Sequence, residues 1–283
     1  MTKEFEKQTQ YVSKKPDADG LRHYTDEENS IWRDLYSRQE RDVLPGRACA
    51  DYIKCLETLD LPHDRVPQLG EVNDKLKPAT GWTVTGVPAL ISFEKFFKLL
   101  ADRTFPAATF IRTREEFDYL REPDIFHEVL GHCPLLLNQN YADFMQAYGE
   151  IGLSVDPKDR AMLARLYWFT VEFGLIKESE GLRLYGAGIV SSVGESQYAL
   201  SDKPEHRPID LVDVFRRLYR IDMYQRVYYV IESFEQLYKL ASDKQHIMDA
   251  IREARGKGPF VPTFPVEDLP EDDLRRKVAE ERV

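Results

Sequence analysis

Apolar positions recur at helical spacing over much of the chain and alternate at strand spacing only in short runs. From Asp26 onward, Trp32, Leu35 and Tyr36 repeat at three and four, which predicts a helix that Leu44-Pro45-Gly46 stops. Further helices are expected over 48–59, around 72–76, over 92–101 with Phe93, Phe96, Phe97 and Leu100 on one side, and over 141–153. Residues 81–86 and 105–111 read as short strands. Pro123-Asp124 opens a helix that Gly131 and Pro134 end. Asp156-Pro157 is a good cap and first-turn pair for a long helix to about Lys177. That helix is apolar nearly all round, through Leu163, Leu166, Trp168, Phe169 and Val171, so it should sit at the centre of the fold. Gly186 and Gly188 within 182–190 suggest a small hairpin, and later helices are expected near 211–219 and 233–255.

Composition narrows the class. In 283 residues, 42% are hydrophobic and 12% aromatic, enough for one sizeable core and too many for a disordered chain. The expected fold is mainly α with a few short β-strands. One domain should span 21–258, between a flexible polar tail over 1–20 and a Pro- and charge-rich tail over 259–283. The net charge of 39 − 49 = −10, with no long basic run, argues against nucleic acid or an anionic membrane as partner. Three cysteines are too few, and odd in number, for a disulfide framework. The first residues lack a signal-peptide core, and no run approaches the ~18 apolar residues of a membrane span. A cytoplasmic protein is expected.

The chemistry concentrates in Pro123-Asp124-Ile125-Phe126-His127-Glu128-Val129-Leu130-Gly131-His132. Five positions on an ideal α-helix leave two side chains about 140° apart. His127 and His132 are therefore expected to converge only if the helix breaks between them, at Gly131. A zinc protease of the His-Glu-x-x-His type needs its histidines four apart on one face, which this spacing is not. Glu172 is the one acidic residue between Arg165 and Lys177, in an apolar run, and a carboxylate there needs compensation. Two histidines and one carboxylate would make a facial triad for non-haem Fe(II) with positions left open. From the residues alone, two rivals stay open: a zinc hydrolase with Glu128 as base, and a helical binding protein whose histidines only cap helices.

Four blocks then carry a resemblance. They are Pro123 to Leu135, Tyr167 to Leu175, Tyr185-Gly186-Ala187-Gly188 with Ser191, Ser192 and Glu195, and Tyr228 to Phe234. In this order, across roughly 25–240, the chain resembles the catalytic domain of the pterin-dependent aromatic amino acid hydroxylases. The resemblance implies iron in a central helical pocket, held as Fe(II) by His127, His132 and Glu172. It implies tetrahydrobiopterin or a related tetrahydropterin as cosubstrate with O2, stacked on Phe96, beside Ile91 and near Glu128. It implies substrate contacts from Arg112, which Asp124 holds in place, and from Trp168, Gly188, Ser191, Ser192 and Tyr119. Many animal members carry Thr-Pro at Leu120-Arg121, and a pterin-site His of theirs is Pro106 here. Tryptophan hydroxylases usually have Phe at the position of Trp168, and tyrosine hydroxylases an Asp at that of Ile221. The implied reaction is therefore hydroxylation of L-phenylalanine to L-tyrosine, with L-tryptophan the alternative substrate. The chain resembles the bacterial form, a catalytic domain alone, expected to be a monomer.

Overall fold

The computed structural model describes residues 11–88, 91–118 and 120–280. Tyr119, one of the expected pocket residues, lies outside the described residues. The fold is mainly α with short strands. The first helix, Asp26–Asp42, begins at a capping box in which Thr25 and Glu28 satisfy each other's backbone N–H groups, and it buries Ile31, Trp32, Leu35 and Tyr36. Helices Ala50–Leu59 and Leu69–Thr80 follow. Strands β1 (Thr83–Val87) and β2 (Thr104–Ala108) pair in parallel across the Phe93–Ala101 helix, the crossover that a parallel pair requires. On that helix Phe97 and Leu100 are buried, whereas Phe93 is 54% exposed.

The Gln139–Ser154 helix is the central one. It buries Tyr141, Phe144, Met145, Tyr148 and Ile151, and packs on the Phe93–Ala101 and Phe234–Ser242 helices. Glycines permit the approach: a Cβ at Gly149 would lie 2.4 Å from the Ala101 backbone nitrogen, and one at Gly152 2.1 Å from the Phe97 ring. Strands β3 (Leu175–Glu178), β4 (Gly181–Leu184), β5 (Glu205–Pro208) and β6 (Val227–Ile231) form a second sheet in the order β4-β3-β6-β5, with only β3 and β4 antiparallel.

Several expected elements take another form. No long helix runs from Asp156 to Lys177: a 3-10 turn at Pro157–Asp159 leads into the Arg160–Tyr167 helix, which widens to a π-helix at Trp168–Glu172 and ends. Gly174 lies against Tyr185, where any Cβ would collide, and Leu175–Glu178 leaves as β3. Nor does the helix after Asp124 break at Gly131: it continues as a π-helix over His127–His132 and gives way to a 3-10 turn at Pro134–Leu137. The hairpin lies earlier than expected, at β3–β4, and Ala187–Val190 is a helical turn. The expected 233–255 helix is two, separated at Asp243, which caps the Lys244–Lys257 helix. The expected helix over 211–219 ends at Arg216.

Both ends of the described chain lie on the body. Tyr11 stacks on Phe110 at 4.6 Å, and Ser13 Oγ accepts from Thr109 N at 3.0 Å. Beyond Lys257, Phe260 sits under Arg216 and Arg217, and Asp268 holds Arg220 at 2.6 Å. The Leu274–Glu280 helix follows, with Arg275 donating to the Tyr219 carbonyl at 3.2 Å.

The Gly149 contact generates a stability prediction. Gly149→Ala gains helix propensity but presses on backbone that cannot rotate away, so the variant should lose about 1–3 kcal/mol. Urea unfolding followed by circular dichroism reads this as a lower midpoint, and an unchanged or raised midpoint would contradict the packing described.

Candidate metal centre and its pocket

The two π-helices place the candidate ligands. The i→i+5 pattern of a π-helix sets residues five apart nearly above one another, where an α-helix would splay them. His127 and His132 stand at the two ends of one such turn, and Glu172 ends the other. Their donor atoms converge: the two Nε2 atoms are 3.1 Å apart, His132 Nε2 is 3.3 Å from Glu172 Oε1, and His127 Nε2 is 3.5 Å from Glu172 Oε2. Three donors about 2.0–2.2 Å from one ion, at near right angles, lie about 3 Å apart, so the cluster fits a facially bound transition metal.

Hydrogen bonds select the tautomer of His127. Ser191 Oγ donates to the Ala187 carbonyl at 2.7 Å, so it accepts from His127 Nδ1–H at 3.0 Å. Nε2 of His127 is then left bare and faces the cluster. Asp124 holds the start of the same turn, accepting from His127 N at 3.1 Å. Burial pushes the His127 imidazole down to about 4, against the pull of Glu172, so it is neutral near pH 7. Burial also opposes ionisation of Glu172, but His132, His127 and the Gly188 N–H outweigh it and hold the carboxyl below its usual range. The same Glu172 charge raises His132 against its burial. Glycines make room for Glu172: a Cβ at Gly186 would lie 2.4 Å from its backbone carbonyl oxygen, and one at Gly188 3.3 Å from its carboxylate Oε2.

Glu128 shares the cluster, with a donor atom within 4.8 Å of those of His127 and His132. Burial pushes its carboxyl up to about 8, and it accepts from the Ala108 N–H of β2. It is thus mainly protonated at neutral pH and stands outside the lining of the cavity described next. A hydrolytic base needs the opposite on both counts. The histidines do not cap helices either, since their rings face Glu172.

A cavity of about 550 Å³ opens in front of the cluster. His127, Glu172, Arg112, Trp168, Gly188, Ser191 and Ser192, all named from the sequence, line it. His132 stands behind them at 2% exposure. Arg112 is buried, and Asp124 takes one edge of its guanidinium, accepting from Nε at 2.8 Å and Nη2 at 3.0 Å. Among the described residues Nη1 meets only the Phe117 carbonyl, at 3.4 Å, so the Nη1–Nη2 edge keeps donors to offer. Asp124 is fully buried; the arginine overcomes the burial and keeps its carboxyl below the usual range. Trp168 is stacked on Tyr219 at 4.4 Å and meets Phe173 at 4.6 Å. Leu120 and Arg121 lie at the mouth, with Ile221, Met223 and Tyr224.

Phe96 and Ile91 do not line this cavity. Both are half-buried, and Phe96 packs edge-on to Tyr167 at 5.4 Å, whose ring is 6.2 Å from that of His132. Sequence reasoning passed over Phe173, although it directly follows a ligand. It also passed over Gln225, for which the local pattern carries no signal, and gave Glu195 no role in the site.

The comparisons agree with this geometry. The family model described as biopterin-dependent aromatic amino acid hydroxylase matches residues 7–250. A phenylalanine-4-hydroxylase of Pseudomonas aeruginosa is 49% identical over 259 residues, 92% of this chain and 98% of that protein. The apo structure of the cold-active phenylalanine hydroxylase from Colwellia psychrerythraea superposes with a TM-score of 0.89 at 46% identity, covering 92% of this chain and 100% of the other. The Chromobacterium violaceum enzyme with bound oxidised Fe(III) gives 0.81 at 42% identity, over 89% of this chain and 90% of that one.

Ser191→Ala removes the acceptor that orients His127 without touching a donor atom of the cluster. Cobalt(II) titration followed by its visible absorption should show about 10- to 100-fold weaker binding. Unchanged affinity would mean that Ser191 does not orient the ligand.

Proposed function

The chain belongs to the biopterin-dependent aromatic amino acid hydroxylases, and from that premise we propose that it hydroxylates L-phenylalanine to L-tyrosine. The site takes Fe(II) through His127, His132 and Glu172, with a tetrahydropterin and O2 as cosubstrates. The observation that carries this reading is the convergence of two Nε2 atoms and one carboxylate at 3.1–3.5 Å on the wall of a cavity that also presents a buried arginine. Iron and pterin, when bound, supply activated oxygen for insertion into an aromatic ring.

The chain's own groups bind and orient. The free Nη1–Nη2 edge of Arg112 suits the substrate carboxylate, and Asp124 keeps that fork aimed while leaving the buried pair close to neutral. Trp168 and Phe173 offer an aromatic wall for the ring. Gly188 keeps the space in front of Glu172 clear. Ile221 puts an apolar side chain at the mouth, which itself offers a tyrosine hydroxyl no hydrogen bond. Phe96, Ile91, Glu128 and Tyr119 remain our candidates for the pterin side and the pocket rim, supported by the family match over residues 7–250 and, for Phe96, by its contact with Tyr167.

Among the described residues no helix is long and apolar enough to cross a membrane. We read the chain as a cytoplasmic catalytic domain acting on small molecules. Its three free, buried cysteines and net charge of −10 support that reading. Exposed large apolar residues such as Phe93, Leu153 and Leu274 are scattered over separate helices, which supports a monomer.

Metal-stripped protein resupplied with Fe(II), a tetrahydropterin and O2 should convert L-phenylalanine to L-tyrosine, and lose turnover when either iron or pterin is withheld. Product from L-tryptophan alone would overturn the substrate assignment, and no product from either would overturn the reaction. Arg112→Lys keeps the charge but loses the fork, so KM for L-phenylalanine should rise about tenfold or more with kcat less affected. Steady-state kinetics with an unaltered KM would remove Arg112 from substrate binding.

A further inference from the structure

We propose that Gln225 is a positioning residue that sets the orientation of the Trp168 indole, and through it the shape of the ring pocket. The inference rests on reading the cavity as the site of an aromatic amino acid.

Gln225 is buried at 5% exposure, and its amide sits between two kinds of partner. Its Nε2 donates to the carbonyls of Arg220 at 3.0 Å and Met223 at 3.1 Å. Carbonyls only accept and an indole N–H only donates, so the amide has one satisfied orientation, with Oε1 toward Trp168 Nε1 at 3.1 Å. The backbone of Gln225 is pinned as well. Its N–H donates to Glu195 Oε1 at 3.2 Å, an oxygen that also accepts from the Tyr228 hydroxyl at 2.7 Å. Glu195 and Tyr228 are both buried.

This arrangement decides something that stacking does not. Trp168 lies flat on Tyr219, 13° from parallel. Offset stacking holds the plane of the indole but tolerates sliding or a flip about its long axis. The bond to Gln225 selects one edge. The same residue ties that edge to the Arg220–Met223 turn, whose Ile221 and Met223 side chains stand at the mouth of the cavity. Wall and mouth are thus set by one amide. Loosening it widens the space beside the aromatic wall and favours the larger ring.

The test uses Gln225→Met, which keeps the length of the side chain and removes the amide. In tryptophan-labelled protein there are three indole N–H signals, one per tryptophan, and that of Trp168 is the one absent from Trp168→Phe. In Gln225→Met the Trp168 indole should exchange with water about tenfold faster, while Trp32, which donates to the Pro62 carbonyl at 2.8 Å, stays unchanged and reports an intact fold. With iron-loaded enzyme, the ratio of kcat/KM for L-phenylalanine to that for L-tryptophan should fall about three- to tenfold. In a Trp168→Phe background the same change should move that ratio by less than about twofold, because no N–H remains to be held. Equal effects in both backgrounds, or unchanged indole exchange, would overturn the proposal. Should Gln225→Met not fold, Gln225→Leu removes the amide with a shorter apolar side chain: the Trp168 indole should again exchange about tenfold faster, and retained protection would overturn the assignment. If the parent protein turns over neither amino acid, the proposed function fails, while the exchange measurement still decides the role of Gln225.

Discussion

Two imidazole nitrogens and a carboxylate, their donor atoms 3.1–3.5 Å apart in a largely buried site, form a cluster shaped to hold a cation. Much of the surrounding structure maintains it. Two stretches of chain, His127–His132 and Trp168–Glu172, give up α-helical winding for the wider π form, and these are the stretches that carry the three donors. π-helices are rare and concentrate at functional sites, because they trade hydrogen-bond geometry for a side-chain direction that an α-helix cannot offer. The Ala187–Val190 turn packs on both π-turns and holds them facing each other.

Around the donors, each contact restricts one degree of freedom. Ser191 selects the ring nitrogen that His127 presents. Gly186 and Gly188 let the backbone after β4 pass within contact of Glu172, and the Gly188 N–H then favours the ionised carboxylate. Asp124 reaches both the histidine cluster and the cavity arginine. It caps the turn that carries His127 and fixes the guanidinium of Arg112, so one buried aspartate sets the spacing between the two. Gln225 gives the aromatic wall a comparable anchor. Together they bring an open-faced donor cluster, a charged fork and an aromatic wall onto one cavity.

Much of this was legible in the sequence, for stated reasons. The Asp26–Asp42 helix follows from its apolar period and its Thr25–Glu28 cap. Glu172 stands out because a lone acid in an apolar run demands a partner. The winding was not legible. Templates of three and four contain no five-residue turn, so Gly131 reads as a break, when its absent Cβ instead makes room for Ala187 at 3.0 Å. Gly186 and Gly188 likewise read as hairpin glycines but make room for Glu172, its backbone carbonyl and its carboxylate respectively. The Tyr228–Ile231 run has the aromatic and β-branched content of a strand, and β6 could have been read from it. The prolines and charges beyond Lys257 suggest a partly ordered tail, but composition does not reveal that Arg216, Arg217 and Arg220 on the body hold Phe260 and Asp268. The pairing of Arg112 with Asp124 came from family resemblance, since no local pattern links them.

Three side chains on two π-turns would make up the whole protein contribution to the metal. X-ray absorption of the Fe(II)-loaded protein tests this most directly. Five or six light-atom neighbours are expected, with outer-shell scattering from two imidazoles and no sulfur. A sulfur neighbour, which would implicate Cys133, a four-coordinate tetrahedral centre, or scattering from only one imidazole would contradict it.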